Sequence, residues 1–222
     1  YKGKALMYIG AYKQAAETYT DIVTQFGEEA QVLADRAYTY QKTGEHEKGL
    51  DDYDKAIALE ANNYEYYFRK FYLLREMGRD TEANELLSQA AEIEVKTKAD
   101  KFNLAKIHFY QGLFDQAFPE LSESFANGFK DAYQIASCLI KMEEYEQALP
   151  YLETGIGYAH NDMMRVILKN EIIVYEKLGD YEKALTKLQS YISDYPDDKE
   201  AKREETFIIS RLSNISNDIN NE

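Results

Sequence analysis

The sequence predicts an all-α fold, a solenoid of stacked helix-turn-helix units, and three observations lead there. Gly10, Gly44, Gly78 and Gly112 stand 34 residues apart. Five residues after each comes a small residue: Ala15, Gly49, Ala83 and Ala117. The surrounding residues also recur, as GAYKQA at Gly10, GEHEKG at Gly44, GRDTEA at Gly78, GLFDQA at Gly112, EEYEQA at Glu143 and GDYEKA at Gly179. A fixed period of this length marks an array whose units touch only their neighbours, an architecture that binds partners rather than enclosing a catalytic pocket.

Taken in order, the elements follow from the glycine register. A first repeat, residues 1–29, lacks its first helical turn, and the chain opens at Tyr1 without a methionine. Both points lead us to expect further residues upstream, where a secretion signal or lipid anchor has room. Repeats two to six are expected at 30–63, 64–97, 98–128, 129–164 and 165–198. Beyond Gly112 the phase slips: Ala148 follows Ala117 by 31 positions and Ala184 follows Ala148 by 36. The slips fall near Asn127-Gly128 and His160-Asn161, where a change in loop length costs little. Six helix pairs result. After Pro196, residues 199–213 can bring Ala201, Phe207, Ile208 and Leu212 to one face, the pattern of a capping helix over the last repeat. The asparagine-rich end, 214–222, is expected to fray. The whole chain, 1–222, is taken as a single repeat domain.

The residue types have physical reasons. A helix C-terminus commonly ends on a residue with positive φ, which glycine adopts without strain. A small residue in the second helix of each pair lets backbones approach, and Tyr19, Tyr53, Leu87, Leu121, Leu152 and Leu188 fill the space beside it.

In these residues the chain resembles the tetratricopeptide repeat family. That pattern has a small residue at position eight, an aromatic near eleven, the turn glycine, an aromatic two residues on, alanine at twenty and proline at thirty-two. Leu33, Ala37, Tyr40, Gly44, Tyr53 and Ala56 follow it in repeat two, and Leu168, Tyr175, Gly179, Tyr181, Ala184, Leu188 and Pro196 in repeat six. The resemblance covers residues 1 to about 198. It implies a right-handed superhelical solenoid of antiparallel helix pairs, closed by a C-terminal capping helix. Departures are equally visible. Position eight is Phe71 in repeat three and Ile172 in repeat six, so wider helix spacing or outward-turned side chains are expected there. Arg36, Lys70 and Glu171 occupy position seven, where the family prefers leucine, so those junctions are expected to be looser. Pro119 and Pro150 each remove one backbone donor from a second helix, and a local bend is expected.

Composition excludes several function classes. With 40 acidic against 26 basic residues the net charge is −14, which repels phosphate backbones and leaves no basic stripe for nucleic acid. Cys138, the only cysteine, can form neither an internal disulfide nor a CxxC pair, and Ile135, Leu139 and Ile140 around it point to a buried thiol. No stretch approaches the ~18 uninterrupted apolar residues of a membrane span, so these residues insert in no membrane. His46, His108 and His160 fall at different repeat positions and read as packing substitutions. No HExxH, glycine-rich phosphate loop or GxSxG is present, and DDYD at Asp51 lacks the spacing of a calcium loop. No catalytic residue, metal site or cofactor is expected.

The resemblance also implies where a partner binds. In tetratricopeptide domains the first helix of each pair lines the concave side, with positions 2, 5, 6, 9, 12 and 13 facing the groove. Here these give Phe68, Arg69, Tyr72 and Arg75 in repeat three, then Phe102, Asn103, Lys106, Phe109 and Tyr110 in repeat four. Repeat five adds Lys130, Tyr133, Gln134 and Lys141, and Tyr8 and Tyr38 extend the row. An aromatic, locally basic groove is expected. The family's three-repeat clamp for a terminal carboxylate is incomplete. Asn103 and Lys130 fit it, but Phe68, Tyr72 and Gln134 stand where lysine, asparagine and arginine are required. The expected function is a non-enzymatic scaffold holding a peptide or protein segment in that groove. The alternatives are a structural or self-associating module, and an accessory domain of a larger protein whose other parts lie upstream. Oligomeric state stays open. The tyrosine-rich repeats ending in PDDKEAKREE also resemble those of lipid-anchored surface proteins of Gram-positive bacteria, an extracytoplasmic placement, although the composition fits a bacterial cytoplasm equally.

Overall fold

A computed structural model describes the backbone of residues 2–126, 132–157 and 161–219, and the side chains of these except 161, 162 and 215–219. Among them it contains thirteen α-helices and no strand: α1 (Lys2–Tyr8), α2 (Tyr12–Phe26), α3 (Ala30–Thr43), α4 (His46–Leu59), α5 (Tyr64–Glu76), α6 (Asp80–Ala91), α7 (Lys98–Tyr110), α8 (Phe114–Ala126), α9 (Ala132–Lys141), α10 (Tyr145–Ile156), α11 (Asn161–Lys177), α12 (Tyr181–Asp194) and α13 (Lys199–Ile219). They make six helix pairs and a terminal helix, the all-α helical repeat solenoid the sequence predicts. The loop slips expected near Asn127-Gly128 and at His160 lie outside the described residues. Helix α13 runs on past Ser213, into the segment expected to fray.

The helices form two compact units, Tyr1–Ile107 and His108–Glu222. In the first, each of α1 to α5 packs on the helix that follows it, and α3 also reaches α5. In the second, α8 to α13 follow the same rule.

One turn geometry recurs at every pair. Gly10, Gly44, Gly78, Gly112 and Gly179 have φ between 72° and 81°. At each, the following residue's N–H donates to the carbonyl five positions back, as in Glu45 N to Tyr40 O at 2.9 Å and Asp180 N to Tyr175 O at 2.9 Å. This six-to-one closure satisfies helix-end carbonyls and reverses the chain. In repeat five, where the glycine is replaced, Glu143 itself takes φ 62°, and Glu144 N still reaches Leu139 O at 2.8 Å.

The small-residue stripe is internal. Ala15, Ala83, Ala117, Ala148 and Ala184 are fully buried, Gly49 is buried, and Tyr19, Tyr53, Leu87, Leu121, Leu152 and Leu188 are buried beside them. Gly49 has a specific reason to lack a side chain. A Cβ there would sit 3.0 Å from Leu73 Cδ2 and 3.2 Å from Ala37 O.

Of the two alternatives expected at position eight, the outward turn is corrected: Phe71 and Ile172 do not face solvent but are 4% and 3% exposed, so the larger residue adds to the core. Nor are the charged residues at position seven loose ends. Arg36 makes a two-pronged, buried pair with Asp52 of α4 (2.6 and 2.7 Å), Lys70 pairs with Asp54 of α4, and Glu171 takes Lys187 Nζ of α12 at 2.7 Å. Each substitution of leucine by charge is matched by an opposite charge on a second helix, so the contact is kept in ionic form. Pro119 and Pro150 both lie inside continuous helices, α8 and α10.

Candidate functional site

The first unit carries an open cleft of about 970 Å³ between α5, α7 and the α4–α5 loop. Its geometry begins with the 34-residue period. Asp35, Arg69 and Asn103 share position six of successive repeats, and Tyr38, Tyr72 and Lys106 share position nine. Stacking first helices side by side therefore lines these residues up in rows. Asn63 caps α5 by accepting from Glu65 N at 3.1 Å, and Thr97 caps α7 by accepting from Asp100 N at 3.1 Å, while Asp100 reaches back to accept from the N–H groups of Lys96 (3.0 Å) and Thr97 (2.8 Å). Those caps fix the helix starts that form the cleft mouth.

Phe68 forms the floor, only 6% exposed, while Tyr72 on the next turn is 44% exposed and meets Phe71 edge-on at 5.4 Å. Lys106 lies over these rings, its Nζ 4.1 Å from the Phe68 centroid and 5.6 Å from that of Phe102. Burial holds the Lys106 ammonium below the usual lysine range. Arg69 is engaged at both ends, with Asp35 on α3 at 3.3 Å and with Glu65 on its own helix. Burial opposes its charge, but Glu65 and Asp35 more than compensate and raise its pKa.

Of the residues expected on the groove, the structure brings together Phe68, Arg69, Tyr72, Asn103 and Lys106 on this cleft, with Phe102 beside Lys106. Within the first unit, Arg75, Tyr38 and Tyr8 lie elsewhere. Arg75 turns to Asp80 across the α5–α6 connection at 3.2 Å. Tyr38 packs edge-on against Tyr12 at 6.2 Å with Lys42 over its face, and Tyr8 is almost wholly exposed. Phe109 stacks edge-on with Tyr110 and Phe114 in the second unit. Tyr133 and Gln134 are half-buried on α9 and Lys141 is exposed at its end, and Lys130 lies outside the described residues.

Nor is the cleft basic: Glu60, Glu65 and Asp100 stand against Arg69 and Lys106. Sequence reasoning missed Asp35, 4% exposed, which accepts from Gln31 Nε2 at 2.9 Å as well as from Arg69. The signal was available, because Asp35 and Arg69 are one period apart at one groove position.

Elsewhere the described cysteine and histidines sit in packing contacts. The Cys138 thiol is fully buried and pushed up to about 12 by burial. His108 Nδ1 lies 2.8 Å from Glu120 and His46 Nε2 3.9 Å from Glu76, while His160 is outside the described residues. Among the described residues no group of histidine, cysteine and carboxylate side chains is placed to hold a metal ion, and no helix is long and apolar enough to cross a membrane.

Comparison with known proteins agrees with this architecture. Tetratricopeptide repeat models match residues 30–63, 132–162 and 173–198. No curated protein matches the chain. Among solved structures, a tetratricopeptide repeat protein from Parabacteroides merdae superposes with a TM-score of 0.64 at 15% identity, over 93% of this chain and 81% of its own. PilF of Pseudomonas aeruginosa gives 0.67 at 20% identity, over 92% and 93%. YrrB, described as a TPR protein with an unusual peptide-binding site, gives 0.56 at 20% identity, over 86% and 99%. These likenesses are of fold. Three segments of the chain thus match tetratricopeptide repeats, within an all-α helical repeat solenoid.

Proposed function

We propose that this protein is a non-enzymatic scaffold that holds a peptide or protein segment in the cleft between α5, α7 and the α4–α5 loop. The observation that carries the reading is the cleft's make-up. An exposed aromatic, Tyr72, stands above a buried aromatic floor, with Asn103 and Lys106 converging from the neighbouring helix. Recognition sites commonly combine an aromatic anchor with a few polar groups that fix orientation. The peptide-binding site described for YrrB, which shares the fold, adds support by analogy.

The test is selection of a random peptide display library on the immobilised protein and on a Tyr72→Glu, Asn103→Ala variant. Tyr72 is exposed, so the variant is expected to keep its helical circular dichroism and melting temperature. Peptides captured by the native protein should lose at least about tenfold in affinity on the variant, the size of one aromatic hot spot. Equal binding by both proteins, or no captured peptide, overturns the cleft as the binding site.

A further inference from the structure

We infer that the cleft selects a segment carrying an acidic side chain next to an apolar one, with Lys106 as the seat of the carboxylate. The inference rests on the cleft reading and adds the partner's chemistry to it.

The argument is a census of charge. Glu60 accepts from Tyr66 Oη at 3.2 Å and Asn63 Nδ2 at 3.1 Å. Glu65 is paired with Arg69, and Asp100 is occupied by two backbone N–H groups at the start of α7. Arg69 is held between Glu65 and Asp35. Every ionised group on the cleft wall thus has a counter-charge or donor from this chain except Lys106. Among the described residues its ammonium meets no carboxylate at ion-pair distance, only the faces of Phe68 and Phe102.

A cation over a ring recovers less than a cation on a carboxylate, and here it has already lost much of its water. The incoming group that relieves this deficit is an anion, and on a protein segment that is an aspartate or glutamate side chain. Asn103, one turn before Lys106 on α7 and on the same cleft wall, adds an amide donor for the second carboxylate oxygen. As the ammonium moves to the carboxylate it uncovers the Phe68 and Phe102 faces. The residue beside the acid, if apolar, then fills the space the lysine stem occupied. Lys106 is in this sense a resident cover, and acid plus apolar neighbour is the combination that displaces it with both halves satisfied.

The experiment sorts the peptides captured above by composition, then uses them as amidated, fluorescently labelled probes on the native chain and on Lys106→Met and Lys106→Arg. Methionine keeps the apolar cover without charge and arginine keeps the charge. Melting curves check that both variants fold. The captured set should be enriched in Asp or Glu adjacent to a large apolar residue. Lys106→Met should weaken binding about tenfold or more, the size of one charge-assisted hydrogen bond, and Lys106→Arg should restore most of it. Changing the peptide's acid to its amide should cost as much on the native protein and almost nothing on Lys106→Met, a closed double-mutant cycle.

Captured peptides without acidic preference, or an acidic preference that Lys106→Met leaves intact, overturn the inference. If the Tyr72→Glu, Asn103→Ala variant still weakens capture in that case, the cleft reading stands without it. Loss of binding on amidation alone assigns the carboxylate to a chain terminus and overturns the side-chain version.

Discussion

Glu143 occupies the turn position that glycine holds at the other five pairs, and it adopts φ 62° to do so. A side chain in the left-handed region costs about 1 kcal/mol against glycine. The turn nonetheless closes with the same hydrogen bond as its neighbours, so the register is set by the packing of α9 on α10 and imposed on the residue. Glu143→Gly is therefore expected to stabilise the protein by up to about 1 kcal/mol, reduced by the greater freedom glycine gains when unfolded. Urea denaturation checks this, and an unchanged or lower midpoint would show that the turn carries no strain. The reverse change, Gly44→Glu, should destabilise by a similar amount, because nothing lies within 4 Å of a Cβ there and backbone conformation is the only cost.

Between elements, the distinctive feature is that ionic pairs stand where apolar contacts are the family's habit. Arg36 is the strongest instance, its guanidinium locked on both oxygens of Asp52 with little of either side chain exposed. Removing one partner leaves a buried charge. Arg36→Ala is expected to cost about 3–5 kcal/mol, whereas the joint change Arg36→Leu, Asp52→Leu should be near neutral or stabilising. Denaturation midpoints of single and double variants measure the contrast, and additive losses would contradict it. A second expectation concerns spacing. Ala83→Leu or Ala184→Leu should cost about 1–3 kcal/mol by overpacking a fully buried contact.

What could be read in advance follows the same division. The turn glycines and the small-residue stripe were legible because backbone conformation and close approach admit few residue types. The Arg36–Asp52, Lys70–Asp54 and Arg69–Asp35 pairs were not, since a charge on an amphipathic helix looks the same whether it faces water or a partner 16 or 34 residues away. For the cleft, Phe68, Arg69, Tyr72, Asn103 and Lys106 came from the groove positions that the tetratricopeptide resemblance implies. Glu60, Asn63 and the rest of the α4–α5 loop carry no periodic signal and were missed.

Over the whole chain, 40 acidic against 26 basic residues make carboxylates the main determinants of how stability follows pH. Two of them, at the junction of α13 with α11 and α12, act in opposite directions. Asp198 accepts from Glu200 N and Ala201 N at 3.1 Å each, from Tyr191 Oη at 2.7 Å, and takes Lys169 Nζ at 2.8 Å. Lys169 first, then Tyr191 and the backbone donors, hold its pKa far below the usual carboxylate range. A depressed folded pKa gives stability that is present above the unfolded value, about 3.9, and is lost as pH falls below it. Glu176 is the converse. Burial, and then the neighbouring Glu204 carboxyl, raise it to about 7. The folded state then holds the proton more tightly, so its contribution is full below the unfolded value of about 4.3 and is lost as pH rises towards 7. Melting temperature should accordingly fall from pH 5 to pH 8, and Glu176→Gln, which keeps a neutral group at that site, should flatten that fall. Asp198→Asn retains a side chain able to cap α13 but removes the charge, so it should lower the melting temperature at pH 7, by a deficit that narrows steadily as pH falls below about 4. Thermal melts followed by circular dichroism across pH 2.5–8 test both. A Glu176→Gln curve as steep as the native one, or an Asp198→Asn deficit that is as large at pH 2.5 as at pH 7, would show that other groups set the pH dependence of this junction.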